Sequence, residues 1–251
     1  MGGGEDCGLF LTTEGKIYGF GRGDNGQFAL GGSYTYYNDS VFEITSAGSS
    51  VLRIPDTLTD ANHIIMQSGE LYVTGSNTDG QLGIGVAQTT TAKIDTFTLI
   101  AASNLGNQTP IVVQGGQKEL QVLVANGDIY GFGYNYYNQI ARGSTDDVIS
   151  PTLETSTFSG TPVQIVTGQW FSGVLTTSGN IYTVGDAGDG RLGNGDSSTD
   201  QTSHQLLSLN VGTVQDLETI KTPLNTTTYS IATVALSWIS YDLGLEAEMQ
   251  I

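Results

Sequence analysis

The residues that could do chemistry in this chain are acidic and aromatic, because histidine and cysteine are scarce. Its 251 residues include 25 Asp and Glu and 12 Tyr, but only 2 His and 1 Cys. A zinc site needs a cluster of Cys and His ligands, and His63, His204 and Cys7 are too few for one. A single cysteine also cannot form an internal disulfide. We therefore predict no metal site built on these residues.

Two glycine-rich segments resemble ligand-binding loops. Asp186–Gly190 (Asp-Ala-Gly-Asp-Gly) hints at a calcium loop, but it lacks an Asp or Asn ligand at the third position and a Glu at the twelfth. Asp and Asn in such segments more often bond their own backbone. Gly21–Gly26 matches Gly-x-Gly-x-x-Gly, but a dinucleotide site also needs a helix that opens there. The Arg22-Gly23-Asp24 tripeptide within it is interpreted as a chance match to the integrin-recognition sequence.

The sequence offers no catalytic constellation. It contains no Gly-x-Ser-x-Gly nucleophile elbow. Acidic pairs such as Asp146-Asp147 are adjacent, and neighbouring strand residues point to opposite faces. We predict that the chain is not an enzyme, with no catalytic residue and no cofactor.

Tyrosines are the strongest candidates for binding a partner. They cluster in two loop regions, Tyr34, Tyr36 and Tyr37 in one and Tyr134, Tyr136 and Tyr137 in the other. Loop tyrosines supply a large amphipathic contact area at low entropic cost. We predict that they contact a protein or a glycan; the alternative is that they only cover the sides of neighbouring strands.

The second tyrosine cluster lies in a repeated element that we call the glycine corner. It spans Gly75–Gly85, recurs at Gly185–Gly195, and recurs with losses at 21–31 and 133–143. Before each corner, two apolar runs flank a polar-Gly pair, which predicts a β-hairpin. The glycines of these pairs, Gly15, Gly69, Gly127 and Gly179, are separated by 54, 58 and 52 residues. For Asn126-Gly127 we predict a type I′ turn. We also predict outer strands at 51–54 and 93–101.

The corner resembles the repeat of the regulator of chromosome condensation family, Gly-x-Asn-x-x-Gly-Gln-Leu-Gly-x-Gly after a hairpin. The second copy matches it at Gly75, Asn77, Gly80, Gln81, Leu82, Gly83 and Gly85. The fourth copy keeps Gly185, Gly190, Leu192, Gly193 and Gly195 but has Arg191 where Gln is expected. The resemblance covers residues 4–200 and implies a β-propeller in which these residues are structural. The His that the family usually carries before each hairpin is replaced by Cys7, Ala61, Glu119 and Phe171.

We therefore predict an all-β fold, a single β-propeller domain over residues 1–251 with about five blades built from repeats of about 54 residues. The repeats span 4–31, 61–85, 119–143 and 171–195. The segment 226–251 is β-prone but has neither the turn nor the corner. It either closes the propeller within the chain or contacts a neighbouring subunit. The residues predicted to do so are Tyr229, Ile231, Val234, Leu236, Trp238 and Ile239.

Charge and composition limit the classes of partner and the locations that we expect for the chain. The net charge of −17, with only 8 Lys and Arg, disfavours nucleic-acid partners and anionic membranes. No apolar run is long enough to span a membrane, and no secretory signal is visible. A Lys-poor chain rich in Thr, Ser, Asn, Gly and Tyr is typical of extracellular, surface or virion proteins.

We predict a non-catalytic binding or structural module, a subunit of an extracellular, surface or virion assembly such as a filament. Its partner is expected to be a protein, copies of itself or a glycan. The alternative is an inhibitor or regulator that uses its propeller face. A nucleotide-exchange factor like the family's namesake would need a complete ring and a basic arm. Gly4-Glu5-Asp6 reads as the inside of a repeat, so we expect the chain to begin partway through a blade.

Overall fold

The computed structural model describes residues 6–32, 37–55, 57, 60–86, 92–208 and 214. Within these residues, β-strands form four antiparallel sheets. The first sheet holds β1 (Cys7–Leu11), β2 (Ile17–Arg22) and β3 (Tyr37–Glu43). The second sheet holds β4 (Val51–Arg53), β5 (Ala61–Met66), β6 (Leu71–Ser76) and β7 (Lys93–Ile100), and the third holds β8 (Pro110–Gly115), β9 (Glu119–Val124), β10 (Ile129–Gly133) and β11 (Val148–Leu153). The fourth sheet holds β12 (Pro162–Thr167), β13 (Phe171–Thr176), β14 (Ile181–Gly185) and β15 (Gln201–Leu206). The helices of the described residues are short 3-10 turns at Thr45–Ala47, Ala102–Leu105 and Gly188–Gly190, and none could span a membrane.

The four sheets are blades of a propeller. Each is a meander in which consecutive strands pair. Neighbouring blades lie side by side at their first strands: β8 contacts β12, and Thr57, which follows β4, forms a parallel bridge with Gly115 of β8. The predicted all-β propeller is therefore confirmed. A fifth repeat and the six predicted closure residues follow residue 208 and fall outside the described residues.

The hairpin turns correct one prediction. In the third blade the Gly127 N–H donates to the Val124 carbonyl at 2.9 Å, and Val124 N–H donates to the Asp128 carbonyl at 3.0 Å. Gly127 has φ +91°, but Asn126 is not in the left-handed region. A type I′ turn needs positive φ at both central residues. The loop instead has three residues, 125–127, of which only the glycine is left-handed.

The second blade corrects a second prediction, which concerns the position of a strand in the sheet. Residues 51–54 were expected to form an outer strand, but β4 is the first strand of its blade and pairs with β5. The outer strand is β7, as predicted for 93–101. A lone apolar run before a proline does not reveal its position in a sheet, because that position depends on which strand pairs with it.

The larger hydrophobic clusters lie between neighbouring blades. Each glycine corner buries one large apolar side chain, and these four residues are Phe28, Leu82, Ile140 and Leu192. Leu82 packs in one cluster with Phe132 of the next blade. Phe28 packs in one cluster with Ile64 of the second blade. The first and second corners therefore fasten their blades to the next blade.

Candidate functional site

The glycine corners lie at one end of the blades, which we call the corner face. The hairpin turns lie at the other end, the hairpin face, because β2, β6, β10 and β14 each run from a hairpin turn to a corner. The turns 116–118 and 168–170, which precede β9 and β13, also belong to the corner face. This arrangement brings loop residues from different blades together.

Close backbone contact fixes two side chains beside the corners. Gly133 has φ +103°, and a methyl group there would overlap the Lys118 carbonyl oxygen. Gly185 has φ +114°, and a methyl group there would overlap the Trp170 carbonyl oxygen. Only glycine combines such a φ with such a close approach. Lys118 and Trp170 are therefore held at the edges of the third and fourth corners.

The third corner is rigid because its polar side chains bond its own backbone. Asn135 Oδ1 accepts the Ile140 N–H at 3.0 Å, and Gln139 Oε1 accepts the Tyr137 N–H at 3.1 Å. The second corner repeats these bonds: Asn77 Oδ1 accepts Leu82 N–H at 3.1 Å, and Gln81 Oε1 accepts Asp79 N–H at 2.8 Å. The Asn and Gln side chains hold the loop, and the three tyrosines of the third corner are displayed from it.

Tyr134, Tyr136, Tyr137 and Trp170 form one surface cluster, the aromatic patch. The Tyr136 and Tyr137 rings lie 5.0 Å apart at 83°, and both lie 6.4 Å from the Tyr134 ring. The Tyr137 ring lies 5.2 Å from the Trp170 ring of the next blade. Tyr136 is 61% exposed and the other three are half-buried. The patch therefore crosses the boundary between the third and fourth blades.

A cation paired with a carboxylate stands at each end of the patch. Lys118 Nζ lies 6.0 Å from the Tyr134 ring centre and 3.1 Å from an Asp79 carboxylate oxygen. Arg191 Cζ lies 5.3 Å from the Trp170 ring centre, and its guanidinium lies 2.7 Å from Asp186. A cation within about 6 Å of a ring is attracted by the ring's quadrupole. Each end of the patch is thus a set of one aromatic ring, one cation and one carboxylate.

The surroundings of the patch are acidic. Burial raises the pKa of the Tyr134 hydroxyl, and Asp147 and Asp79 raise it further. Burial likewise raises the pKa of Tyr137, with contributions from Asp186 and Asp200. Both hydroxyls therefore stay neutral at physiological pH and can donate hydrogen bonds.

The patch is where the repeats depart most from one another. Tyr134, Tyr136 and Tyr137 occupy positions held by Ser76, Thr78 and Asp79 in the second corner. Trp170 occupies the position of Lys118, and Arg191 stands where the other corners have Gln27, Gln81 and Gln139. Sequence reasoning found the tyrosines and the unusual Arg191 but missed Trp170. The signal for Trp170 was available, because an aromatic residue at that repeat position is unique among the four copies.

The other predicted sites are placed as follows. Tyr34 and Tyr36 fall outside the described residues, and Tyr37 begins β3. In the Arg-Gly-Asp tripeptide, Arg22 Nε lies 2.6 Å from Asp24 Oδ1, so its two charged ends pair with each other.

The calcium-like segment is used internally. The Asp186 carboxylate accepts the Gly188 N–H at 2.7 Å and pairs with Arg191. Among the residues that the structure describes, no group of three or more His, Cys, Asp or Glu is placed to hold a metal ion.

A second polar cluster is buried between the third and fourth blades. Gln121 Nε2 donates to Glu154 Oε1 at 2.6 Å, and Glu154 Oε2 lies 3.8 Å from His204 Nδ1. His204 Nδ1 also lies 2.8 Å from Ser156 Oγ. Burial raises the pKa of Glu154 well above its usual value and lowers that of His204 to about 3. Both groups are therefore neutral over a wide pH range, and the cluster joins two blades without a formal ion pair.

The comparisons with known proteins agree with the propeller geometry. The model of the regulator of chromosome condensation (RCC1) repeat matches residues 126–175, which include the third corner. The chain therefore contains a repeat of the regulator of chromosome condensation family. Human E3 ubiquitin-protein ligase HERC2 is 28% identical over 74% of this chain and 4% of its own length. The RCC2 homologue of Danio rerio is 34% identical over 52% of this chain and 25% of its own length.

Two solved structures show the same fold. Human WBSCR16 superposes with a TM-score of 0.73 and 21% identity, covering 86% of this chain and 54% of WBSCR16. Yeast RCC1 (Prp20), in its complex with Kap60, gives 0.75 and 16% identity, covering 86% of this chain and 50% of Prp20. The chain thus spans about half of these two structures and a quarter or less of the two curated relatives.

Proposed function

We propose that this RCC1-repeat chain is a non-catalytic protein-binding module that takes its partner on the aromatic patch of the corner face. The observation that carries the proposal is that the residues that differ most from the repeat lie together on one surface. Three tyrosines, Trp170 and Arg191 replace small or polar residues, and the fold brings them to one surface. Residues needed only for the blades would be expected in all four copies.

The physical character of the patch supports binding. Tyr and Trp are enriched at interfaces because a rigid ring gives contact area and its polar end still finds a hydrogen bond. Tyr136 presents 61% of its surface to solvent, while the corner beneath it is held by the Asn135 and Gln139 hydrogen bonds. A preorganised loop loses little entropy on association.

The relatives favour a protein as the partner. The Prp20 structures concern a complex with Kap60 and binding to Gsp1p and histones. The ligase names belong to proteins such as HERC2, of which this chain spans 4%. We therefore propose no ligase activity for it. A glycan remains the second candidate ligand, because tyrosine rings also stack on sugars.

Composition leads us to place this binding in an extracellular, surface or virion assembly, with copies of the chain among the possible partners. A propeller-face inhibitor is the alternative, and it would use the same patch against an enzyme. An exchange factor for a small GTPase is disfavoured by the net charge of −17, since the family's namesake acts on chromatin.

Affinity purification from source extracts tests the proposal, with the full chain as bait. Tyr136→Ala removes the exposed ring, and Leu99→Ala removes a comparable exposed apolar group on β7, 43% exposed and away from the patch. We expect partner proteins that the wild type and L99A retain equally and Y136A loses. Equal recovery by all three baits, or no partner for any of them, would contradict the proposal.

A further inference from the structure

We infer that the partner presents a basic peptide segment, with a Lys or Arg side chain lying over the Tyr136 ring. The inference rests on the proposed function and names the chemistry of the ligand at the same patch. It concerns the middle of the patch, between the two cations that the chain itself supplies.

The two ends of the patch already show the arrangement that we assign to the partner. At one end Lys118 lies over Tyr134 and pairs with Asp79. At the other end Arg191 lies over Trp170 and pairs with Asp186. In both sets an aromatic face and a carboxylate share one cation.

The middle of the patch has an exposed ring, Tyr136, with no cation of the described residues over its face. Among the described residues, no Lys or Arg lies over Tyr136. The exposed Asp200 and the Arg191-paired Asp186 act electrostatically on the neighbouring Tyr137, and Arg191 acts on it in the opposite sense. A Lys or Arg from a partner would complete a third set of the same kind.

The charge of the whole chain favours the same partner. With 25 acidic and 8 basic residues, the net charge is −17. Such a field raises the association rate of a basic partner and repels acidic ones. A phosphate backbone would meet carboxylates around the rings and is disfavoured. A neutral glycan could stack on the rings and donate hydroxyl hydrogen bonds to the carboxylates, but it would gain nothing from the net charge.

A panning experiment identifies the ligand chemistry. A phage-displayed library of random short peptides is panned on the full chain, and clones that also bind Y136A are discarded. The best retained peptide is then titrated against the wild type and two charge variants. Asp200→Asn removes a charge but keeps the oxygen that accepts the Ala187 N–H at 3.0 Å. Glu14→Gln removes the same charge from the hairpin face.

We expect the retained clones to be rich in Lys and Arg. The dissociation constant should rise about threefold or more in D200N and stay unchanged in E14Q, since one nearby exposed charge is worth up to about 1 kcal/mol. Binding should weaken when ionic strength rises from about 0.01 to 0.15 M, because the Debye length falls from about 30 to 8 Å.

Other results would overturn the inference. Neutral or acidic retained peptides would show a different ligand chemistry, and equal effects of D200N and E14Q would show only a general attraction to an acidic chain. A panel of neutral oligosaccharides is titrated in parallel. Tyr136-dependent binding of a sugar or an acidic peptide would refute the basic partner and leave the patch as a binding site. No Tyr136-dependent ligand in either screen, together with no Tyr136-dependent protein in the purification, would refute the proposed function as well.

Discussion

The Tyr137 ring lies 5.2 Å from the Trp170 ring, at 32°. Tyr137 belongs to the corner of the third blade, and Trp170 precedes the first hairpin strand of the fourth. The contact therefore serves two purposes, since it joins two blades and completes a surface that neither blade forms alone. Binding at the patch and stability of the blade boundary are expected to be coupled.

The first prediction concerns Trp170. Trp170→Ala removes the contact with Tyr137 and leaves Arg191 without its ring, so we expect the free energy of unfolding to fall by about 2 kcal/mol. Trp170→Phe keeps a ring in place and should cost less than half as much. Urea unfolding of both variants measures the difference. Equal stability of W170A and the wild type would show that the ring contact does not hold the blades together.

The second prediction concerns the corner backbone. Gly133→Ala places a methyl group against the Lys118 carbonyl oxygen at φ +103°, and we expect a loss of about 3 kcal/mol or more. Gly143 also has a positive φ, +69°, but no atom lies within 4 Å of a methyl group built there. Gly143→Ala should therefore cost only about 1–2 kcal/mol. If thermal and urea unfolding give the two variants the same stability, the close approach at Gly133 is not a constraint.

The third prediction concerns Glu154. Burial raises its pKa well above 4.5, so the folded protein keeps a proton that the unfolded chain releases. Stability should therefore fall as pH rises above about 4.5, by up to about 1.4 kcal/mol per pH unit, until the folded-state pKa is reached. Glu154→Gln keeps the Oε1 acceptor for Gln121 and removes the titration. The stability of E154Q relative to the wild type should increase between pH 5 and pH 8, and parallel profiles would contradict a neutral buried carboxyl.

The fourth prediction concerns His63 and His204, the two histidines of the chain. Burial lowers the pKa of both to about 3. Below pH 6.5 the unfolded chain takes up protons that the folded protein does not, so stability should fall as pH falls from 6.5 towards 3. In the E154Q background, which removes the opposing carboxyl, we expect a slope of about 1 kcal/mol per pH unit for each histidine.

NMR checks this fourth prediction directly. The ring C–H signals of His63 and His204 should not titrate between pH 7 and pH 5 in the folded protein. A midpoint near pH 6.5 for either signal would show that its ring is solvated.

The fold could be predicted from sequence because its signals are local. A polar-Gly pair between apolar runs gives a hairpin, and the hairpins at Gly15, Gly69, Gly127 and Gly179 form with the expected partners. The predicted type I′ turn was wrong because Asn126 does not take a positive φ and the loop has three residues instead of two. Backbone conformation inside a turn depends on loop length, which the sequence motif does not fix.

The site was only partly predictable because it depends on contacts between blades. The tyrosines of the third corner stood out, since three of them lie within four residues. Trp170 and Lys118 reach the patch only because Gly185 and Gly133 bring their backbone beside the corners. The carboxylates of Asp79, Asp186 and Asp200 come from other corners and loops. A motif search along the chain cannot assemble such a set without the propeller geometry.

Site-specific photo-crosslinking tests the central claim most directly. A photoreactive phenylalanine analogue replaces Tyr136 on the corner face or Asn126 on the hairpin face, both exposed, and the full chain is irradiated in source extract. We predict a discrete higher-mass adduct from position 136 and none from position 126. An adduct from position 126 alone, or the same adducts from both positions, would contradict partner binding at the aromatic patch.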